Sequence, residues 1–222
     1  MLHVCCWWWG DKYGADHIDK LAAGVDRHLK QPFEWHVFQP GPEDQHLTKI
    51  NGCFARLRMF DPKWREKKAI GPDDRLVCMD LDSIVTGPLD PLFDRDEPFL
   101  ILRGANASNP CPYNGSLMMT RSNYRPDVWT DFSPSAALAI RFHDYPDDQG
   151  WLWHKIPVAP GWMAGRESGV YAFHKPGWPR TGKNGDGDAD ALPKGARLVV
   201  FPGWRDPSLF TKLDWVREHW RA

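Results

Sequence analysis

Long apolar runs are scarce in this chain of 222 residues. Its apolar opening, Met1 to Trp9, falls far short of the roughly 20 residues that a membrane-spanning helix needs. It carries neither the positive flank nor the small-residue cleavage site of a secretion signal, so a cytoplasmic protein is expected, with peripheral membrane contact left open. Basic blocks are missing too. Lys and Arg total 28 against 29 Asp and Glu, a formal charge of -1, which argues against a nucleic-acid partner. Cysteine is sparse and odd in number: Cys5, Cys6, Cys53, Cys78 and Cys111 have no metal-ligand spacing, and buried free thiols are expected. Adjacent Cys5 and Cys6 should point to opposite sides of a strand. The triplets Asn106-Ala107-Ser108 and Asn114-Gly115-Ser116 match glycosylation acceptors, which mean nothing without secretion. No repeat and no clear linker divide the chain, and its length suits one domain. What is abundant is tryptophan, with 13 residues. Most must be core, since aromatic side chains carry large apolar area, but some could stack on the apolar face of a sugar ring.

Leu2 to Trp9 reads as a buried strand, broken by Gly10 to Gly14. Ala15, Ile18, Leu21, Ala22, Val25 and Leu29 then recur at helical spacing, and Pro32 closes the helix. Phe33 to Phe38 is a second strand, and this strand–helix–strand opening points to a parallel α/β sheet. A short helix is expected around Phe54, Leu57 and Met59. Leu76 to Met79 is a third buried strand, and Phe99 to Leu102, Ser116 to Met119 and Leu198 to Phe201 are later ones. Ala136 to Phe142 and Gln149 to His154 suggest short helices, and Arg180 to Lys194 a mobile loop. Asp206-Pro207 should start a final helix with Leu209, Leu213, Val216 and Trp220 on one face.

Asp80-Leu81-Asp82 follows the third strand directly, which places it at the carboxyl edge of an open sheet, where α/β folds bind ligands. In extended chain, i and i+2 share a side, so both carboxylates could face one cation. Hard oxygen ligands suit Mg²⁺ or Mn²⁺, with phosphate oxygens and water completing the shell. A turn with a helix cap is the bland alternative. Met79 to Val85 also resembles the nucleophile motif of haloacid-dehalogenase-type phosphatases, and Gly185 to Asp190 imitates their later acidic motif. Two strands and a helix precede Asp80, however, where that family opens with its nucleophile strand. A calcium loop starting at Asn184 fails, because Ala189 and Gly195 occupy the positions that need Gly and Glu.

Several segments carry a wider likeness: Asp11-Lys12-Tyr13 after the first strand, Ala55-Arg56-Leu57, and Leu76 to Gly87 around the acidic pair. Pro88 to Phe93, Tyr113-Asn114-Gly115-Ser116-Leu117-Met118 and Asp147-Asp148-Gln149 continue it. In this order they resemble the GT-A glycosyltransferases, particularly the family 8-like group, across nearly the whole chain. The resemblance implies a mixed, mostly parallel α/β sheet flanked by helices, with a nucleotide half to about residue 82 and an acceptor half at 83–222. It implies a nucleotide-diphosphate-sugar donor, expected to be a UDP-sugar, held by Asp11, Lys12 and Tyr13 at the nucleotide and by Arg56 at the diphosphate. Asp80 and Asp82 would bind Mn²⁺ or Mg²⁺, and Asn114, Gly115 and Ser116 would lie beside the donor sugar. Asp148 and Gln149 would be the catalytic pair at the acceptor side, although Asp148 could equally cap a helix. The acceptor could be a sugar, lipid or protein.

The family's His-Gly-x-x-Lys-Pro element corresponds to Pro202-Gly203-Trp204-Arg205-Asp206-Pro207. Gly203 survives, Arg205 offers a substitute cation, and proline cannot ligate a metal, so His174 becomes a candidate third ligand. A binding protein that has lost activity is the alternative, with the phosphatase behind it.

Overall fold

The computed structural model describes residues 1–105, 110–140, 147–179 and 189–222. The triplet at 106–108, the end of the helix expected at 136–142, and most of the 180–194 loop with its acidic motif lie outside the described residues.

β1 (Leu2–Trp7) is buried at every position, as expected for a strand covered on both faces. Its alternation divides the core: Cys5 and Trp7 join the cluster on one face of the sheet, and Val4 and Cys6 join the cluster on the other. α1 (Ala15–His28) buries His17, Leu21, Gly24 and Val25 along one stripe, and β2 (Phe33–Phe38) returns parallel to β1. Two 3₁₀ helices, Pro42–Lys49 and Phe54–Phe60, and α2 (Pro62–Lys67) replace the single short helix read from the sequence.

β3 (Arg75–Met79) lies parallel to the other side of β1. β4 (Ser83–Val85) then leaves this sheet, followed by α3 (Asp90–Phe93), β5 (Phe99–Arg103) and β6 (Tyr113–Arg121). α4 (Asp127–Thr130), α5 (Pro134–Leu138) and α6 (Asp148–Lys155) cover one side, and β7 (Gly161–Met163), β8 (Val170–Ala172), β9 (Leu198–Val200) and α7 (Asp214–His219) complete the chain. The large sheet runs β2-β1-β3-β6-β5-β7, and the pairs β1–β2, β1–β3 and β5–β7 are parallel. It is therefore mixed and mostly parallel. The small sheet runs β4-β9-β8.

Three departures from the sequence reading matter for the site. The strand expected from Ser116 starts earlier, so Asn114 and Gly115 stand inside β6: β5 and β6 shift register between Ile101 and Leu102 and pairing resumes at Asn114. The final helix splits into a 3₁₀ turn, Pro207–Phe210, and α7, which leaves Leu209 61% exposed instead of on a buried face. The acidic pair is not extended. Asp80 to Asp82 form the turn that carries the chain from the large sheet to the small one.

Seven of the tryptophans are buried, five are half-buried, and Trp204 is 70% exposed, so the Trp excess is core-building with one outlier. Trp178, Trp215 and Trp220 pack with Phe173 and Phe201 under the small sheet. Burial of each such side chain contributes about 1.5–3 kcal/mol. Cys5, Cys6 and Cys78 are buried free thiols, Cys111 is buried too, and Cys53 is exposed. Among the described residues no helix is long and apolar enough to cross a membrane.

Candidate functional site

A cavity of about 690 Å³ opens where β1, β3 and β6 meet the small sheet. Of the residues singled out in the sequence, Lys12, Tyr13, Arg56, Asp80, Asp82, Asn114, Gly115, Ser116, Asp148, Gln149, Gly203 and Arg205 all line it. Asp11 does not; it is exposed beside the cavity-lining Lys12 and Tyr13.

Arg56 is the hub. The 3₁₀ helix Phe54–Phe60 buries six of its seven residues, Arg56 included, and drives this cation beneath the cavity floor. Its Nε donates to Asp148 Oδ2, and its Nη1 donates to Asp80 Oδ1 at 2.7 Å and to the Gly115 carbonyl at 3.0 Å. Gly115 is required by this crossing. A Cβ there would lie 2.1 Å from Arg56 Nη2, so the glycine makes room for the guanidinium. Asp148 is 1% exposed, and burial pushes its carboxyl up to about 7 against the opposing pull of Arg56. Capping of α6 falls to its neighbour: Asp147 Oδ1 accepts from Gly150 N at 2.8 Å. Gln149 is held on both ends, accepting from Gly115 N at 3.0 Å and donating to Asp147 Oδ2 at 2.6 Å. Asn114 Oδ1 accepts from Ser116 N at 3.0 Å, which leaves the Asn114 amide N–H groups free to donate.

Asp82 occupies the other side of the turn and is 5% exposed. Tyr13 O–H donates to its Oδ2 at 2.6 Å, and Lys12 Nζ lies 3.8 Å from the same oxygen. Its Oδ1 is buried with no hydrogen-bond donor among the described residues. Burial first, and Asp80 second, raise its carboxyl to about 7. An ionised oxygen there without a donor is costly, so the site favours either a proton or a cation on Asp82.

The far wall is formed by Pro202, Gly203, Trp204 and Arg205. Gly203 takes φ +82°, and its carbonyl accepts from Lys12 Nζ at 3.2 Å, tying this wall to the turn after β1. Asp206 caps the 3₁₀ turn behind the wall and faces His17 Nε2 at 3.0 Å. His174 does not line the cavity; its Nε2 lies 2.6 Å from Asp190 Oδ1. Its neighbour Lys175 does line it and has no ion-pair partner among the described residues. Sequence reasoning passed over Lys175, because a lone lysine in an irregular stretch carries no signal. Trp7, Trp9, Cys53, Asp147 and Trp204 were likewise missed as wall residues, although the Trp excess hinted at aromatic walls.

No protein-family profile matches the chain, and no curated protein matches it by sequence. Solved structures do match it. The galactosyltransferase LgtC in complex with donor and acceptor sugar analogues superposes with a TM-score of 0.58 at 14% identity, covering 100% of this chain and 97% of that one. The fold is that of the GT-A glycosyltransferases. A glycosyltransferase involved in glycosylation of the major capsid of PBCV-1 gives 0.57 at 13% identity, over 91% of this chain and 93% of that one. The apo form of glycosyltransferase GlyE from Streptococcus pneumoniae TIGR4 gives 0.57 at 14% identity, with 97% of this chain spanning 62% of that longer protein.

Proposed function

We propose that the chain transfers a glycosyl group from a nucleotide-diphosphate sugar, expected to be a UDP-sugar, to a hydroxyl acceptor, with a divalent cation at Asp80 and Asp82. The observation that carries this reading is the buried Oδ1 of Asp82, without a hydrogen-bond partner among the described residues, in the turn that also presents Asp80 to the cavity. Hard carboxylate oxygens fit Mn²⁺ or Mg²⁺. Among the described residues no further His, Cys, Asp or Glu joins the two into a three-ligand cluster, so the donor set suits a cation that keeps water and phosphate oxygens. When bound, such a cation supplies Lewis-acid stabilisation of the departing diphosphate, worth several kcal/mol.

The chain's own groups divide the remaining work. Lys175 and Arg205 face the cavity without carboxylate partners among the described residues and would receive charge developing on the leaving diphosphate. Tyr13 and Trp9 offer aromatic faces for the base, and Asp11 would reach the nucleotide from outside the cavity wall. Asn114 would donate to sugar hydroxyls, with Ser116 beside it. Asp148 is a positioning residue in this reading: buried against Arg56, it orients the guanidinium, while Gly115 N and Asp147 hold Gln149. With Asp148 buried against Arg56, transfer with retention on the leaving-group face, as the family 8-like resemblance implies, is the stereochemistry this reading expects. The nucleotide half and the acceptor half then meet in one sheet, where β6 pairs with β3.

Asp80→Asn and Asp82→Asn, assayed for Mn²⁺-dependent hydrolysis of a UDP-sugar, test the proposal. Each should lower turnover by about 100-fold or more, and undiminished turnover would refute the metal role. Pro202, where the family carries a metal-binding histidine, favours one rival: a chain that binds UDP-sugar without turning it over. Saturable, Mn²⁺-dependent UDP binding with no hydrolysis and no transfer would select that rival.

A further inference from the structure

A second convergent cluster lies at the other end of β1, about 13 Å along the strand from Trp7 at 3.3 Å per residue. β1 and β2 pair in parallel with His3 opposite Glu34 and Cys5 opposite His36. Side chains alternate along strands, so Glu34 and His36 share a face with each other and with His3. One atom from each converges. His3 Nδ1 lies 2.9 Å from His36 Nε2 and 3.4 Å from Glu34 Oε2, and His36 Nε2 lies 3.7 Å from the same Glu34 oxygen. A tetrahedral ion with Zn–N and Zn–O bonds of about 2.0–2.1 Å has ligand–ligand edges of about 3.3–3.4 Å. The three observed edges bracket that value, and side-chain shifts of a few tenths of an ångström would equalise them.

The surroundings match a metal site as well. His3 Nε2 lies 3.1 Å from Asp74 Oδ2, and Asp74 is itself fixed by Gly71 N at 2.6 Å. With Nε2 donating to a carboxylate, Nδ1 is the basic nitrogen and faces the cluster, the carboxylate–histidine arrangement that orients metal-binding imidazoles. His3 is 2% exposed, whereas the Glu34 side chain is 56% exposed on the edge strand, so the cluster has a buried anchor and a solvent entry. Two imidazoles and one carboxylate also select differently from Asp80 and Asp82: imidazole suits Zn²⁺, Co²⁺ or Ni²⁺, and paired carboxylates suit Mg²⁺ or Mn²⁺.

We propose that His3, His36 and Glu34 bind a Zn²⁺-type ion, with Asp74 behind His3 and the fourth position open to water, and that the ion clamps the edge strand β2 to β1. This site is independent of the glycosyl-transfer reading and shares no residue with the cavity.

The test uses the full chain, stripped with chelator, titrated with Zn²⁺ by calorimetry and with Co²⁺ by visible absorption. One equivalent should bind at micromolar protein, with the spectrum of four-coordinate Co²⁺, and Zn²⁺ should raise the Tm. Both results should persist in an Asp80→Asn/Asp82→Asn double variant. His36→Ala and Glu34→Gln change half-buried and exposed edge-strand positions, so folding is preserved and checked by an unchanged far-UV spectrum. Either should abolish the four-coordinate spectrum, and Asp74→Asn should weaken binding by about 10–100-fold. Failure of the unmodified chain to bind one equivalent overturns the proposal. So does binding that survives His36→Ala, or that is lost in His28→Ala, whose ring lies 6.4 Å from that of His219.

Discussion

Replacing Gly115 with alanine should damage the protein through one contact only. Gly115 is not among the glycines with positive φ, so its backbone accepts an L side chain without strain. The added methyl, however, would lie 2.1 Å from Arg56 Nη2 and 2.8 Å from Cζ. Ordinary contact between such atoms is about 3.5 Å, so the guanidinium must withdraw by more than about 1 Å. That movement breaks the bonds to Asp80 Oδ1 and the Gly115 carbonyl, at 2.7 and 3.0 Å, and loosens Nε from Asp148. Arg56 and Asp148 are 6% and 1% exposed, so water cannot restore their partners. Separating a buried ion pair costs about 3–5 kcal/mol, and Asp80, a third exposed, is screened, so the lower end, about 3 kcal/mol, is expected. For a chain of this length that lowers Tm by about 6–12 °C. Thermal and urea unfolding measure it, and the double variant Arg56→Ala/Gly115→Ala isolates the cause. With the guanidinium gone, the extra methyl should cost less than about 0.5 kcal/mol. Unchanged stability in Gly115→Ala, or additive losses in the double variant, would refute the assigned contact.

Two further outcomes follow from the same cavity. Asp82 has its carboxyl raised from 3.8 to about 7, so in metal-free protein the native state keeps a proton that the unfolded chain releases above about pH 4. Relative to Asp82→Asn, the native protein should therefore lose stability as pH rises from about 4 to about 7 and level off above; paired urea titrations that give a constant or widening advantage would contradict this. Comparison with the variant is needed because burial lowers His28, His36 and His219, which pull the opposite way. Lys175→Ala removes a cavity cation with no ion-pair partner among the described residues, so UDP affinity should fall by about 10-fold, the value of one charge-assisted contact, with Tm nearly unchanged. Equal UDP affinity by calorimetry would remove Lys175 from the site.

Local patterns carried the fold well where side chains report on their own strand or helix. The unbroken apolar run of β1, the helical stripe of α1 and the strand leading into Asp80 all stand where periodicity places them. Long-range consequences were not legible. Nothing near Gly115 in the sequence says that a guanidinium 59 positions earlier crosses it. His3 pairs with residues 31 and 33 positions later only because β2 settles beside β1 in one register. The final helix failed for a local reason: Asp206 and Pro207 start a turn that stops at Phe210, and Leu213 is extended as the N-cap of α7.

The turn from Asp80 to Asp82 explains why so many of the expected residues share one cavity. β3 delivers it to the edge of the large sheet, and β4 carries the chain on into the small sheet, whose β9 leads to the wall at Pro202–Arg205. Four carboxylates (Asp80, Asp82, Asp147, Asp148) therefore face four cations (Lys12, Arg56, Lys175, Arg205) across this space. The charges are not spread evenly. Arg56 is committed to Asp80 and Asp148, and Lys12 is drawn to Asp82 and the Gly203 carbonyl, so the floor holds more carboxyl groups than cations, while Lys175 and Arg205 on the wall have no ion-pair partner among the described residues. A bare diphosphate near that floor would meet like charge at about 4 kcal/mol per close pair for an effective dielectric of 20. An uncharged sugar would not. Under the proposed function, Asp80 and Asp82 would admit a diphosphate only together with a cation, while Lys175 and Arg205 on the opposite wall would attract its outer oxygens. A floor that would exclude free phosphate but accept a metal-bound nucleotide is the electrostatic form that the proposed glycosyl transfer requires.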